Sequence, residues 1–160
     1  METEYGRRSF FMQTTFQEIV EALKTTREGT TYYYDQKRGK LYLRPDADMF
    51  GFDLHWLEKE LEKDPDRYLR LPDNEEINLY GMMASFPEVL PEDAASFRRD
   101  VELAVQGKTA YQRFKYLVYG SKYEDLWRAH KDSCYKAIAE NWCRANGLET
   151  LCEVNAEQVV

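Results

Sequence analysis

The chain has 160 residues, 43% apolar and 32% charged, with a formal net charge of −7. That composition suits a globular fold large enough to bury a core and excludes wholesale disorder. The negative charge sets most of the surface against phosphate, and so against general nucleic-acid or anionic-membrane binding.

Nothing approaches the roughly 18 consecutive apolar residues of a membrane span. The N-terminus is acidic first and has only a three-residue apolar run, Phe10-Phe11-Met12, which is no signal peptide. Three cysteines, Cys134, Cys143 and Cys152, make an odd number without a close pair. They read as free thiols of a cytoplasmic protein.

In chain order, residues 1–13 read as a loose lead-in. Thr15-Phe-Gln-Glu18 is a capping box opening a helix with Phe16, Ile19, Val20 and Leu23 at helical spacing, fading near Gly29. Thr30–Tyr34 and Leu41–Leu43 flank Asp35-Gln-Lys-Arg-Gly39, the pattern of a β-hairpin with a left-handed Gly. Tyr68–Leu71 offers the third strand that a lone hairpin needs. Tyr32, Tyr34 and Tyr42 are expected to alternate onto one side of this sheet.

Phe52–Lys63 predicts a helix stopping before Asp64-Pro65. Asp73-Asn-Glu-Glu76 is a second capping box, opening a helix to about Phe86. Pro91 can begin the next helix, which runs to Gly107, and a further helix spans Lys108–Tyr119. Ser121-Lys-Tyr-Glu124 reads as a third capping box, ahead of the longest helix, which ends at Gly147. The fold class is therefore α+β: a small antiparallel sheet, hairpin plus third strand, with about six helices and a helical C-terminal half. One domain is expected over 14–148, followed by a tail over 149–160.

Chemical motifs are sparse. Asp46-Ala-Asp48-Met-Phe50-Gly51 begins like a calcium loop but has Phe50 at the fifth position and Leu57 at the twelfth. The only histidines are His55 and His130, and the cysteines lack zinc spacing, so neither a metal nor a cofactor is expected. His130 and Cys134 stand at i and i+4, a spacing that can pair a base with a thiol. Both also fall in an apolar stripe with Tyr123, Leu126, Trp127 and Ile138, which makes them a core pair. No catalytic residue is assigned.

Between Arg98 and Lys122 six basic residues (Arg98, Arg99, Lys108, Arg113, Lys115, Lys122) face two acids, Asp100 and Glu102. The segment thus carries +4, leaving −11 on the remainder. Helical projection from Lys108 gives a core face of Ala110, Tyr111, Phe114, Leu117 and Val118, with Lys108, Gln112, Lys115 and Tyr119 opposite. Arg98, Lys108, Arg113, Lys115 and Tyr119 are the candidate binding residues. The plain alternative is a solvated face whose cations pair with the surrounding acids.

Several features together resemble the bacterial uncharacterised protein family 0158. They are Tyr33–Lys40 (Tyr-x-Asp-x-x-x-Gly-Lys), Leu71-Pro72, a helix containing Tyr80, Met83 and Phe86, Gly107-Lys-Thr-Ala-Tyr-Gln-Arg-Phe-Lys115, Trp127-Arg-Ala-His-Lys131, and Ala137–Trp142 ending in Asn146-Gly147-Leu148. The family pattern often has an aromatic residue at the position of His130 and a second basic residue at that of Gln112. The latter departure thins the basic face. The resemblance implies fold and bacterial cytoplasmic origin and brings no catalytic residues.

Function is thus expected to be that of a small interaction or regulatory module with a protein partner. Weak nucleic-acid or phosphate-ligand binding through the basic segment is one alternative, and an enzyme without a recognisable motif is another.

Overall fold

The structure is a computed structural model that describes residues 14–45 and 55–151. The calcium-like loop from Asp46 to Asp53, the lead-in and residues 152–160 lie outside the described residues. The chain divides into two compact units: residues up to Ile77 together with those from Ile138 onward, and Asn78–Ala137. Neither boundary carries a linker-like composition, and one falls inside a continuous helix.

In the first unit, helix α1 (Phe16–Thr25) opens on the expected capping box. The Glu18 amide donates to Thr15 Oγ1 at 3.2 Å and the Thr15 amide to Glu18 Oε2 at 3.3 Å. Its apolar face, Phe16, Ile19, Val20 and Leu23, is buried. Strands β1 (Thr30–Asp35) and β2 (Lys40–Pro45) form the hairpin, with Gly39 at φ 63°. Asp35 closes the turn by accepting the amides of Lys37 and Arg38.

Helix α2 (His55–Lys63) buries Leu57, and a 3-10 turn (Pro65–Arg67) leads into β3 (Tyr68–Arg70). The sheet is antiparallel in the order β2-β1-β3. Its register corrects the expected tyrosine face. Tyr42 lies opposite Tyr33, whereas Tyr32 and Tyr34 lie opposite Leu43 and Leu41. Directly opposed residues share a face, so Tyr42 is on the other side from Tyr32 and Tyr34.

Each face meets an aromatic side chain from one of the unit's own helices. Tyr34 meets Trp142 edge-on at 6.1 Å, and Tyr42 meets Trp56 of α2 at 5.2 Å. The Trp142 indole N–H also donates to the Arg70 carbonyl at 2.8 Å.

The second capping box, Asp73–Glu76, forms as expected, but its helix is cut short. Helix α3 (Asn74–Ile77) ends at Asn78, which has φ 55°, and α4 (Leu79–Ser85) restarts with the Asn78 side chain accepting the Gly81 amide at 3.0 Å. Asn tolerates the left-handed region and caps well, so one residue breaks what reads in sequence as a single helix.

In the second unit, 3-10 turns Phe86–Val89 and Glu92–Ala94 lead to α5 (Ala95–Ala104), α6 (Ala110–Val118) and α7 (Glu124–Ala145). Residues 138–145 of α7 belong to the first unit. Seven α-helices lie wholly within the described residues up to Ala145, one more than expected because of the Asn78 break. Phe86, Phe114 and Trp127 form an aromatic centre with ring separations of 4.6 to 6.0 Å. Burying each contributes about 1.5–3 kcal/mol.

The third capping box does not form. Ser121 Oγ donates to the Val118 carbonyl at 2.7 Å and accepts from the Tyr123 amide, while Glu124 pairs with Arg128. Beyond α7 the chain turns at Gly147 (φ 70°), and residues 149–151 are helical. No helix among the described residues is long and apolar enough to cross a membrane.

Candidate interaction surface

The basic segment forms the α5–turn–α6 hairpin of the second unit. Gly107, at φ 88°, turns the chain between the helices, a geometry that costs a non-glycine residue about 1–2 kcal/mol. Helix α6 begins at Ala110 rather than Lys108. Lys108 therefore lies in the turn ahead of the helix and Tyr119 just past its end, and the expected four-residue polar face is not a single helix face. Ala110, Phe114 and Val118 are buried, but Tyr111 is 51% exposed. The buried set is a narrow i, i+4, i+8 stripe, with Tyr111 on its flank.

The two candidate arginines are held by backbone carbonyls. Arg98 donates to the carbonyls of Pro87, Leu90 and Pro91 at 3.1, 2.9 and 2.9 Å, tying α5 to the turn before it. Arg113 Nε donates to the Ala104 carbonyl at 3.3 Å, at the negative end of the α5 dipole. Lys115 sits over the Tyr119 ring at 5.8 Å and Lys122 over Tyr123 at 5.2 Å.

Ion pairs join residues of 21–76 and of 124–136. Among the described residues, none of the six cations from Arg98 to Lys122 has a carboxylate within 4.0 Å. The expected pairing of these cations with surrounding acids is absent there.

A groove of about 760 Å³ runs between α5 and α6, lined by Asp100, Leu103, Ala104, Arg113, Tyr116 and Leu117, among others. Leu103 is 60% exposed and Tyr116 is 92% exposed. An aliphatic and an aromatic side chain therefore face solvent on the same groove, in the cationic part of an acidic chain. Helical projection sets Tyr116 merely beside the basic face, and no sequence signal marks Leu103.

The histidine–cysteine pair resolves differently. His130 Nε2 lies 2.9 Å from Ser85 Oγ, 3.1 Å from the Met82 carbonyl oxygen and 3.7 Å from Cys134 Sγ. With the ring proton on Nε2 the imidazole donates to the Met82 carbonyl, which also accepts from Ser85 Oγ at 3.0 Å. In this arrangement Nε2 has no lone pair with which to deprotonate serine. Burial pushes the Cys134 thiol pKa up, which keeps it protonated. The cluster ties the end of α4 to α7 while the imidazole lies 6.0 Å from Phe86 and 6.2 Å from Trp127. The buried Trp127 indole N–H has no hydrogen-bond partner among the described residues, and nothing in the structure explains it.

Cys134 and Cys143 are not in disulfides, and no group of three or more His, Cys, Asp or Glu side chains among the described residues is arranged to hold a metal ion.

The model of an uncharacterised protein family, UPF0158, matches residues 11–158, nearly the whole chain. Neither a curated protein nor a solved structure matches it.

Proposed function

From the premise that the chain belongs to uncharacterised protein family UPF0158, we propose that it is a small cytoplasmic interaction module that holds an acidic protein segment against its α5–α6 face. One observation carries this reading: an exposed apolar groove, with Tyr116 92% and Leu103 60% accessible and Arg113 in its lining, belongs to a chain segment whose six cations have no carboxylate within 4.0 Å among the described residues. Isolated exposed apolar residues are ordinary, but an aromatic and an aliphatic residue converging on one groove mark a contact surface. Aromatic residues and arginine are also the side chains most enriched where proteins meet. The unpaired positive charge selects the sign of the partner. A cytoplasmic location is part of the proposal and is supported by thiols held outside disulfides.

The test is site-specific photo-crosslinking in cells, with a benzophenone amino acid at Tyr116 and, as control, at Tyr80, which is 51% exposed in the same unit. A discrete protein adduct is expected at Tyr116 alone, lost in the Lys108→Glu/Lys115→Glu variant. Equal adducts at both positions, or indifference to charge reversal, would sink the reading.

A second reading, phosphate binding by Arg98, Lys108, Arg113 and Lys115, draws on the same absence of acids. It predicts affinity for RNA or DNA that falls steeply with salt and disappears in the double glutamate variant. The −11 carried elsewhere and Asp100 in the groove itself favour the protein partner.

A further inference from the structure

We infer that the α5–α6 groove reads a carboxylate next to an apolar side chain, with Arg113 taking the carboxylate and Asp100 excluding nucleic-acid phosphate. This inference rests on the interaction reading above and goes further, to the chemistry of the partner and the residues that select it.

Arg113 is unlike the other cations of the segment. Its Nε is fixed on the Ala104 carbonyl, its guanidinium lies over Gly107, and it lines the groove. One hydrogen bond thus orients the planar fork, while its two terminal nitrogens have no hydrogen-bond partner among the described residues. A guanidinium held in this way presents two parallel donors, the geometry that matches a carboxylate. Lysines 108 and 115 are exposed, add long-range attraction and carry no such geometry.

Leu103, Ala104 and Leu117 supply the apolar part of the groove, with Tyr116 beside them. A segment that buries one aliphatic or aromatic side chain there removes Leu103 and Tyr116 from water. A bare polyanion gains nothing from that surface.

Asp100 completes the selection. It lines the groove from α5, and no ion pair to it exists among the described residues. A phosphate backbone laid along the groove would bring a row of negative charge past an uncompensated carboxylate. A peptide can place its carboxylate on Arg113 and an amide or a cation beside Asp100. A second copy of this chain meeting the first through the same face would set +4 against +4, so charge disfavours a symmetric self-pair.

The experiment titrates isotopically labelled full-length protein, followed by amide NMR, with defined probes. They are a 14-residue Glu/Leu peptide, its Lys/Leu counterpart, polyglutamate of the same length and a single-stranded 14-nucleotide DNA. The Glu/Leu peptide is expected to move the amides of α5 and α6 and to bind at least about tenfold tighter than the other three, a 1.4 kcal/mol difference. Arg113→Gln should weaken it about tenfold, and Leu103→Ser should do the same at an exposed position where folding is not at stake.

Asp100→Asn should leave peptide binding unchanged or tighter and raise DNA binding. Polyglutamate or DNA binding wild type as well as the Glu/Leu peptide would overturn the inference. So would indifference to both Arg113→Gln and Leu103→Ser, or a dimer in solution that Leu103→Ser dissolves. If no probe binds while the Tyr116 crosslink persists, this inference falls and the interaction reading stands.

Discussion

The guanidinium of Arg67 grips the buried carboxylate of Asp35 through two hydrogen bonds, Nε to Oδ1 at 2.8 Å and Nη2 to Oδ2 at 2.9 Å. The pair links the strand β3 entry to the hairpin turn that the same carboxylate closes. Burial pushes the Asp35 pKa upward, but the Arg67 hydrogen bonds and the amides of Arg38 and Lys37 outweigh it, and the net direction is down. The Arg67 pKa is raised in turn, chiefly by its hydrogen bonds to Asp35.

The first prediction follows from that shift. A carboxyl with a folded pKa below its unfolded value contributes stability that is full above the unfolded value, about 3.9. That contribution fades as pH falls further, through the lower folded value. Urea midpoints for wild type should therefore drop below about pH 4, and Asp35→Ala should show less of that drop. At neutral pH Asp35→Ala should lower the urea midpoint, because Arg67 loses its two short hydrogen bonds and keeps only the longer contact to Glu60 at 3.7 Å, while the turn amides of Lys37 and Arg38 lose their acceptor. An unchanged pH profile in Asp35→Ala would refute this assignment.

A second prediction concerns the break between α3 and α4. A Cβ added at Gly81 would stand 2.6 Å from Asn78 Nδ2, inside the cap that the Asn78 side chain makes. Gly81→Ala should therefore destabilise the protein, although alanine is the better helix former by about 1 kcal/mol. In an Asn78→Gly background the obstruction is gone and the left-handed backbone is kept. There Gly81→Ala should be neutral or stabilising, a sign reversal that a double-mutant cycle by urea denaturation reads directly.

The His130 cluster makes a chemical prediction. A fluorophosphonate probe should leave Ser85 unlabelled, since His130 Nε2 is engaged as a donor. Iodoacetamide should alkylate Cys134 more slowly than a model thiol at pH 7.5, with the rate rising only above the ordinary thiol range, because burial raises its pKa. Rapid labelling at either residue would show that the cluster is arranged for chemistry rather than packing.

Gly107 gives the last prediction. With φ at 88°, Gly107→Ala should cost about 1–2 kcal/mol, and Gly107→Asn less, since Asn visits the left-handed region more readily. Thermal melts of the two variants should rank in that order. Equal losses would mean that contact with the Arg113 guanidinium, rather than backbone conformation, sets the cost.

Much of the fold was legible because its signals are local. The Thr15–Glu18 and Asp73–Glu76 boxes each join residues three apart, and the Asp35–Gly39 turn is written in five residues. Ser121–Glu124 has the same spelling and still does not form the box, because Ser121 Oγ accepts the Tyr123 amide instead of the Glu124 amide and the Glu124 carboxylate turns to Arg128. Asn78 was missed because a helix-period pattern runs through it, and one left-handed residue leaves the apolar spacing on either side intact.

By itself, then, the amino-acid sequence determined the α+β class, the hairpin, the order of the helices, the acidic surface and the position of the one basic segment. These follow from composition, periodicity and contacts a few residues apart. Only the tertiary structure decided that Tyr42 turns away from Tyr34, that Tyr116 and Leu103 meet on one groove, and that the cations beside them have no carboxylate near them among the described residues. The first depends on the register of two paired strands, and the others on distances between separate helices. Strand register, helix start and packing fix such distances together, and no single stretch of sequence encodes them.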